Sequence, residues 1–285
     1  MLTHIAVPYE SDEGFLRLVR PRVEQALHDG RHALVITSPR RLELLGLPVD
    51  SAPSGEWYRH PQRALAALHE YASGRRTMVV GEPPVEGEGW IRYESVINAA
   101  LSEQDCTILC LYAALPEHVL LTHPAELAAD GLRPSSRYVH PAELVLAGDR
   151  APLAEPVGEV RATAFTAPEL ARLRRVVADY ARAAGMERGL ISSLVLSVSE
   201  VAANSVEHGA GHGTITMWTN GREVVCEICD PGGALTDPLP GYLPPEPESQ
   251  RGYGLWISRQ LCDLVQIRGG EVLRIRLHMR LRQSA

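Results

Sequence analysis

The sequence predicts two domains of different class, a mostly parallel α/β sheet followed by an α+β sandwich. The length of 285 residues favours two domains. In the first half, short apolar runs alternate with amphipathic helical stretches, which is typical of parallel strands joined by helices. The second half places two helices ahead of a strand hairpin, a pattern that favours an antiparallel-rich sheet with helices on one face.

Four apolar runs in the first half predict buried strands, and helices separate them. The strands are HIAVPY, HALVITS, TMVVGEP and CTILCLY. The helices are GFLRLVRPRVEQALHDG, QRALAALHEYASG, YESVINAALSE and a short one, PAELAADG, which stops at a glycine. Residues 148–160 are rich in Pro, Gly and Ala. They predict a linker between a first domain at 1–147 and a second at 161–285.

The second half begins with a helix marked by a capping signal, Thr166 with Glu169 three residues later. A second helix is predicted from about Glu187 to Glu207, stopping at Gly209. Two strand-like runs flank Asn220–Gly221, which predicts a hairpin. A Pro- and Gly-rich loop, a helix at LWISRQLCDLV and a last strand, VLRIRLHM, close the domain.

Composition disfavours several classes of protein. The formal net charge of -7 and the pI near 5.9 argue against direct nucleic-acid binding and against a polybasic membrane contact. No secretory signal is visible, and the longest apolar runs are too short to span a bilayer, so we expect a cytoplasmic protein. All 28 basic residues are arginine, which excludes a phosphate-loop lysine and a kinase-strand lysine.

The five cysteines form no even framework, which indicates reduced thiols in a cytosolic compartment. Cys226 and Cys229 form a Cys-x-x-Cys pair within a strand-like run, EVVCEICD. Without a second pair of ligands this spacing is a weak zinc signal, and packing in a core is favoured over metal binding.

The second helix of the second domain carries polar residues that its burial does not require. Glu200 and Asn204 are four apart and share a face, with Glu207 and His208 one turn further on. By itself this pattern also fits a solvated helix end.

Two further stretches favour a nucleotide site over a solvated end. Asp230 follows a strand and precedes Gly232, where a carboxylate can accept from an exocyclic amine and a glycine lets backbone approach a planar ligand. Gly252 and Gly254 then open a helix, whose free N–H groups and dipole attract phosphate.

In that order, Glu-x-x-x-Asn, Asp-x-Gly and Gly-x-Gly resemble the three ATP-binding boxes of the GHKL ATPase fold, over about Phe165 to Met279. SEVAANSVEHG and the lid TDPLPGYLPPEPESQRGYGLWISRQLCDLVQIR are most similar to actinobacterial anti-sigma factor serine/threonine kinases. The resemblance implies ATP and Mg²⁺ as cofactors. It also implies an antagonist (anti-anti-sigma) protein or a sigma factor as partner, and a homodimer.

Carried over by position, the resemblance gives the first two boxes their roles. Asn204 would hold a magnesium ion that bridges the phosphates. Glu200 would act as general base toward the attacking hydroxyl group. Asp230 would accept from the adenine amino group, and Gly232 would give clearance.

The third box departs from the family pattern. Gly252 and Gly254 would cradle phosphates, but Tyr253 stands between them where relatives often carry arginine. Arg251 precedes the first glycine and could reach a γ-phosphate as a second catalytic residue. Losing one cation would slow transfer and spare binding. A nucleotide-dependent binding switch that moves no phosphate therefore stays open as an alternative.

A sensor histidine kinase shares these boxes and is the less favoured alternative. It would need a phosphoacceptor histidine on a dimerising helix ahead of the ATPase domain. Residues 151–199 contain no histidine, and His140 lies in a loop-like stretch, YVHPAEL.

The first half resembles the MEDS sensory domain over THIAVPYESDEGFLRLVRPRVEQALHDGRHALVIT. The stretches GEPPVEGEGWIRYESVINAAL, ILCLY and LTHPAEL extend the similarity to about Val145. The resemblance implies a RecA-like parallel sheet without its phosphate loop, and a sensory role. His4, Cys110, Tyr112 and His123 fall at strand ends or in loops and are candidates for a sensory pocket. Ordinary, partly buried polar residues are the competing interpretation.

Overall fold

A computed structural model describes residues 1–128, 131–232, 235, 237–243, 245 and 252–281. The chain divides into two compact units, Met1–Leu144 and Val145–Ala285, called here the first and second unit. Each unit has its own sheet.

The described residues of the first unit form a seven-stranded sheet. Its strands are β1 (Thr3–Pro8), β2 (His32–Thr37), β3 (Asp50–Pro53), β4 (Thr77–Gly81), β5 (Cys106–Tyr112), β6 (Ala125–Ala128) and β7 (Gly131–Pro134). They lie in the order β3-β2-β4-β5-β1-β6-β7, and every neighbouring pair is parallel except β6 with β7. The predicted mainly parallel sheet is confirmed, with one antiparallel hairpin at its edge.

Helices lie on both faces of this sheet. The helices of the first unit are α1 (Asp12–His28), α2 (Pro39–Leu45), α3 (Ser54–Trp57), α4 (Pro61–Ala72), α5 (Glu88–Ala100) and α6 (Glu117–Thr122). Helix α7 (Pro141–Asp149) crosses the boundary between the two units. Helix α1 packs on the face that carries Ile5 and Val7. Helix α5 lies on the other face, where it contacts His4. Burial on both faces explains why these strands are continuous apolar runs.

One predicted element of the first unit was wrong. The sequence PAELAADG predicts a helix, but Ala125–Ala128 form β6. Ala125 and Glu126 pair in parallel with Ile5 and Ala6 of β1, and β7 pairs with β6 on its other side. A helix this short is not stable by itself. Strand pairing near the sheet edge therefore decides the conformation of Ala125–Ala128.

The described part of the second unit is an antiparallel sheet with helices. Its strands are β8 (Arg161–Thr166), β9 (His212–Thr219), β10 (Glu223–Asp230), β11 (Leu264–Arg268) and β12 (Leu273–Arg280). Its helices are α8 (Leu170–Ala183), α9 (Arg188–Glu207) and α10 (Tyr253–Leu261). The strand order is β11-β12-β10-β9-β8, and every neighbouring pair is antiparallel. The predicted α+β sandwich is confirmed.

Two local signals in the second unit are confirmed. The carboxylate of Glu169 accepts from the N–H of Thr166 at 2.8 Å, which completes the capping box ahead of α8. Gly221 has φ 79 in the turn between β9 and β10, a conformation that requires glycine.

Two edge strands of the second unit, β8 and β11, were not predicted. The last helix was expected to continue to Val265, but α10 ends at Leu261. Leu264 and Val265 instead pair with His278 and Leu277 of β12. Strand β8 depends on a partner distant in sequence, which local periodicity does not show. Strand β11 forms a hairpin with the neighbouring β12, and its first residues also fit the helical pattern that precedes them.

Helix α9 lies in the core of the second unit. Leu194, Val198 and Val201 are fully buried and belong to one apolar cluster with Ile215 of β9. By length and composition α9 is apolar enough to cross a membrane, a test that the core helix of a soluble protein also passes. Its packing on β9, β10 and β12 makes it a core helix in this structure.

The predicted linker is partly helical and partly attached to the second sheet. Helix α7 continues to Asp149. Arg268 donates to Asp149 Oδ1 at 2.9 Å and to the carbonyl of Ala151 at 2.6 Å. Arg276 donates to the carbonyl of Ala154 at 2.6 Å. Residues 149–154 therefore follow the sheet face that carries these two arginines.

Candidate functional site

The polar end of α9 lies against the start of α10. Glu200 and Asn204 are half-buried and stand one helical turn apart. Gly254 packs directly on them: a Cβ added there would lie 3.0 Å from Glu200 Oε2 and 3.3 Å from Asn204 Nδ2. Two of the predicted boxes, distant in sequence, are therefore adjacent. Glycine at position 254 is what allows this close approach.

Helix α10 begins without a capping side chain. Gly252 precedes its first turn with φ 93, a left-handed conformation that favours glycine. Among the described residues no side chain caps the first N–H groups of α10, and the helix dipole favours an anion at this end. The side-chain oxygens of Glu200 and Asn204 stand beside it, and Mg²⁺ prefers oxygen ligands. These residues fit a magnesium-bound phosphate group.

Asp230 joins the end of β10 to the end of α9. Its side chain is buried, and Oδ1 accepts from the N–H groups of Ala210 at 3.1 Å and Gly232 at 2.9 Å. Gly209 leaves room for the carboxylate, because a Cβ there would overlap it. The N–H of Gly209 bonds the carbonyl of Asn204 at 3.2 Å. The second box therefore lies just beyond the last turn of α9.

Gly232 is also a position of close packing. A Cβ at this residue would lie 3.0 Å from the Cβ of Ala210. Glycine at this position allows the loops that carry Ala210 and Gly232 to pack closely on each other. Its predicted role of giving clearance to a nucleotide remains a prediction.

The start of the predicted lid is anchored on α10. Arg259 is buried and donates to the carbonyl of Pro240 at 2.9 Å, and its guanidinium lies 3.7 Å from the centroid of the Tyr242 ring. Gly241 packs against Leu255 of α10. Arg251, the second predicted catalytic residue, lies outside the described residues. Tyr253 is the first residue of α10.

Four other residues singled out from the sequence of the second unit lie elsewhere. Glu207 and His208 are exposed at the end of α9. Cys226 is buried in the apolar core. Cys229, three residues on, projects from the opposite face of β10, 3.6 Å from a Glu227 oxygen. The two thiols therefore do not face one another.

Three of the four sensory candidates converge inside the first unit. His4, Cys110 and His123 meet around Glu94, and the nearest ligand atoms of these four all lie within 4.8 Å of one another. Each of the four is at most 4% exposed, so partial burial was the wrong interpretation. Tyr112, the fourth candidate, is also buried, with its ring edge-on to His123 at 5.7 Å between centroids.

Distances within this cluster are short. Glu94 Oε2 lies 3.3 Å from His4 Nε2 and 3.1 Å from His123 Nε2. His4 Nε2 lies 3.2 Å from Cys110 Sγ. Burial, and then the nearby His123, lower the pKa of His4, so its ring is neutral near pH 7. Burial alone would raise the pKa of Glu94, but the imidazole groups of His123 and His4 hold it at about 2.

Sequence reasoning missed Glu94 and Asn98, which lie on α5. Asn98 contacts His4 through a hydrogen bond of 3.1 Å. A signal was present, since Glu94 and Asn98 are four apart on a helix whose neighbouring residues are apolar. It is the same spacing as that of Glu200 and Asn204.

Family models match both units. Residues 163–279 match HATPase_c_2, described as a histidine kinase-like ATPase domain. Residues 3–124 match MEDS, the MEthanogen/methylotroph, DcmR Sensory domain. The second match ends earlier than the predicted limit near Val145. No curated protein matches the chain at a significant level.

Solved structures give a distant likeness. The chain is similar to the crystal structure of the RsbU and RsbW domains of Rv1364c from Mycobacterium tuberculosis, at 18% identity and a TM-score of 0.33. The likeness covers 44% of this chain and 34% of that one, and no functional conclusion rests on a likeness of this size. The two family matches, together with the two observed sheets, show that the chain joins a MEDS domain to a histidine kinase-like ATPase domain of the GHKL type.

Proposed function

We propose that this chain is an ATP-binding regulatory protein kinase of the anti-sigma factor type, gated by its N-terminal MEDS domain. It would phosphorylate a serine or threonine of an antagonist protein, sequester a sigma factor, or both. The observation that carries the proposal is the contact of Gly254 with Glu200 and Asn204. It joins the acid, the amide and a helix N-terminus in one place, inside a matched ATPase domain.

The phosphate end of the site would lie at the start of α10. Its uncapped N–H groups would bind phosphate oxygens, with Gly252 and Gly254 letting them approach. Asn204 would hold the magnesium ion, which neutralises phosphate charge when bound. Arg251 would add a cation near the γ-phosphate.

Glu200 would receive the proton in the transfer step. A serine or threonine hydroxyl is a poor nucleophile, and a carboxylate within hydrogen-bond reach would take its proton as the new O–P bond forms and the bond from the γ-phosphorus to the leaving ADP breaks. Glu200 is half-buried beside Gly254, so its carboxylate lies at the phosphate end of the site.

Asp230 would bind the adenine amino group. Both of its hydrogen bonds from the described residues go to Oδ1, which fixes the orientation of the carboxylate. Oδ2 would then accept from the exocyclic amine, and Gly232 would let the planar base lie close to the backbone.

A non-catalytic, nucleotide-dependent binding switch is the second candidate. The observation in its favour is Tyr253, an uncharged residue at the first position of α10. Nucleotide binding would then change partner capture without transfer.

The experiment that distinguishes the two candidates measures phosphate transfer from ATP labelled with ³²P at the γ-phosphate. The acceptors are purified candidate antagonist proteins encoded in the same genome. A kinase of this type gives an acid-stable phosphoester on the partner, whereas a histidine kinase gives an acid-labile product on itself. Calorimetry on the same protein measures ATP affinity. Binding without transfer to any partner would support the switch, and absence of ATP binding would refute both candidates.

Assembly and location follow from the same proposal. The partners would be an antagonist protein or a sigma factor, and the functional form a homodimer in the cytoplasm. Light scattering of the full chain, with and without ATP, measures the dimer directly.

A further inference from the structure

The buried cluster of the first unit contains the side chains of a metal site. His4, Glu94, Cys110 and His123 bring two nitrogens, one oxygen and one sulfur to within 4.8 Å of one another. None of them is in the ATP site. Imidazole, thiolate and carboxylate groups are the ligands that hold zinc in proteins.

The spacings match those between ligands of one ion. Ligands about 2.1 Å from a tetrahedral centre lie about 3.4 Å from one another. Glu94 Oε2 is 3.3 Å from His4 Nε2 and 3.1 Å from His123 Nε2. The Cys110 Sγ is 3.2 Å from His4 Nε2. The side chains therefore need only small shifts to surround an ion.

Outer hydrogen bonds turn both imidazole rings so that Nε2 faces the centre. His123 Nδ1 lies 2.8 Å from the carbonyl oxygen of Val119, which only accepts, so Nδ1 carries the proton. Asn98 Nδ2 donates to the carbonyl of Thr122 at 2.8 Å, which leaves Asn98 Oδ1 to accept from His4 Nδ1 at 3.1 Å. Histidines that ligate metals are oriented by such bonds to their other nitrogen.

Several of the groups at the centre lack hydrogen bonds. Within the part of the chain that the structure describes, neither oxygen of Glu94 nor Nε2 of His123 has a hydrogen-bond partner, although all are buried. Glu94 Oε2 nevertheless lies 3.1 and 3.3 Å from the two Nε2 atoms. Buried polar atoms without hydrogen bonds are costly, and a cation held between them would use them as ligands.

The donor set selects the ion. A carboxylate and a thiolate supply one negative charge each, which balances a divalent cation in a buried site. Mg²⁺ and Ca²⁺ prefer all-oxygen sites, whereas tetrahedral sites of mixed nitrogen, sulfur and oxygen suit zinc. We propose that His4, Glu94, Cys110 and His123 bind one zinc ion inside the first unit.

Two cavities border the cluster. One, of about 10 Å³, is lined by Glu94, Trp90 and Tyr112. The other, of about 280 Å³, is lined by His4 and Asn98 and is the candidate entry path for an ion. A buried metal site needs such an entry path.

The test is zinc content of the full chain, purified without a histidine tag from zinc-supplemented medium, dialysed and measured by mass spectrometry. We expect about one zinc per chain, and about tenfold less in Cys110→Ser. Cys106→Ser is the matched control, because Cys106 is buried on the same strand but outside the cluster. It should keep its zinc. Circular dichroism and thermal unfolding verify that each variant is folded.

Two further measurements separate ligation from a structural role. Cobalt-substituted protein should show a thiolate-to-cobalt charge-transfer band that Cys110→Ser loses and Cys106→Ser keeps. Asn98→Ala retains all four ligands but removes the acceptor of His4, so zinc affinity should fall about 10–100-fold in a chelator competition. Folded wild-type protein without zinc, or equal zinc in Cys110→Ser and Cys106→Ser, would overturn the proposal.

Discussion

Helices α5 and α9 carry the same short pattern in opposite surroundings. Glu94 and Asn98 on α5, like Glu200 and Asn204 on α9, are an acid and an amide four residues apart. On α5 the acid is 4% exposed and enclosed by two histidines and a cysteine. On α9 the pair is half-buried and lies beside an uncapped helix start. The pattern places two polar groups on one helix face, and the neighbouring elements decide their chemistry.

Glu200→Gln should have the largest effect and tests the α9 side of the comparison. The amide keeps size and hydrogen bonding but cannot take a proton. Transfer to the partner protein should fall by about 10²–10⁴-fold, while ATP affinity stays near wild type. Glu207→Gln, exposed on the same helix, is the control and should leave both unchanged. Equal losses of binding and transfer would make Glu200 a structural residue.

Asp230→Asn tests whether the adenine end belongs to the same site. The amide oxygen can still accept from Ala210 and Gly232, but an N–H₂ group would replace the acceptor for the adenine amine. ATP binding should weaken by about 1–3 kcal/mol, measured by calorimetry. Asp263→Asn is the control, since Asp263 also accepts a backbone N–H at 2.8 Å but lies just after the C-terminal end of α10. The same affinity in both variants would refute the adenine assignment.

Gly254→Ala tests the comparison from the side of α10. It changes the residue that packs on Glu200 and Asn204 and leaves those two residues in place. The new Cβ would displace the Glu200 carboxylate, which lies 3.0 Å away. Transfer at saturating ATP should fall about tenfold, because a small misplacement of a catalytic group is costly. Gly189→Ala adds the same methyl group to α9, where no atom lies within 4 Å, and should have no effect. Unchanged transfer in Gly254→Ala would show that the packing of α10 on Glu200 is not needed for catalysis.

Glu94→Gln should have the smallest effect, and it concerns the stability of the first unit. The imidazole groups of His123 and His4 hold the pKa of Glu94 at about 2, so at neutral pH the carboxylate stabilises the folded state. In EDTA the free energy of unfolding should fall by about 1 kcal/mol at pH 7, measured by urea denaturation. A rise would show that the two histidines do not stabilise the carboxylate. ATP affinity, which depends on the other unit, should not change.

Much of the architecture could be predicted from the sequence, because it depends on local sequence patterns. Buried parallel strands, the capping box at Thr166 and the turn at Gly221 each depend on residues within a few positions. Strands β6, β8 and β11 could not be predicted in this way. Strands β6 and β8 pair with strands that are remote in sequence, and β11 is a short strand that begins three residues after the last helix ends.

The candidate sites were predictable to different degrees. The candidate ATP site follows an ordered series of motifs, so Glu200, Asn204, Asp230 and Gly254 could be proposed for it from the sequence. Glu94 has no motif around it, and its meaning comes from His4 and His123, which the fold brings to it from 90 and 29 residues away. Only the register of β1 with β5 and the packing of α5 reveal that cluster.

The overlap that excludes any side chain at Gly209 bears on the entropy of nucleotide binding. Asp230 is fixed by two backbone N–H groups and by the absence of a Cβ at Gly209, before any ligand arrives. A side chain ordered in advance loses little rotamer freedom on binding, whereas a mobile one forfeits about 0.5–1.5 kcal/mol. If Asp230 accepts from the adenine amine, Gly209 contributes to ATP affinity by ordering Asp230 in advance. Gly209 need not touch the nucleotide itself.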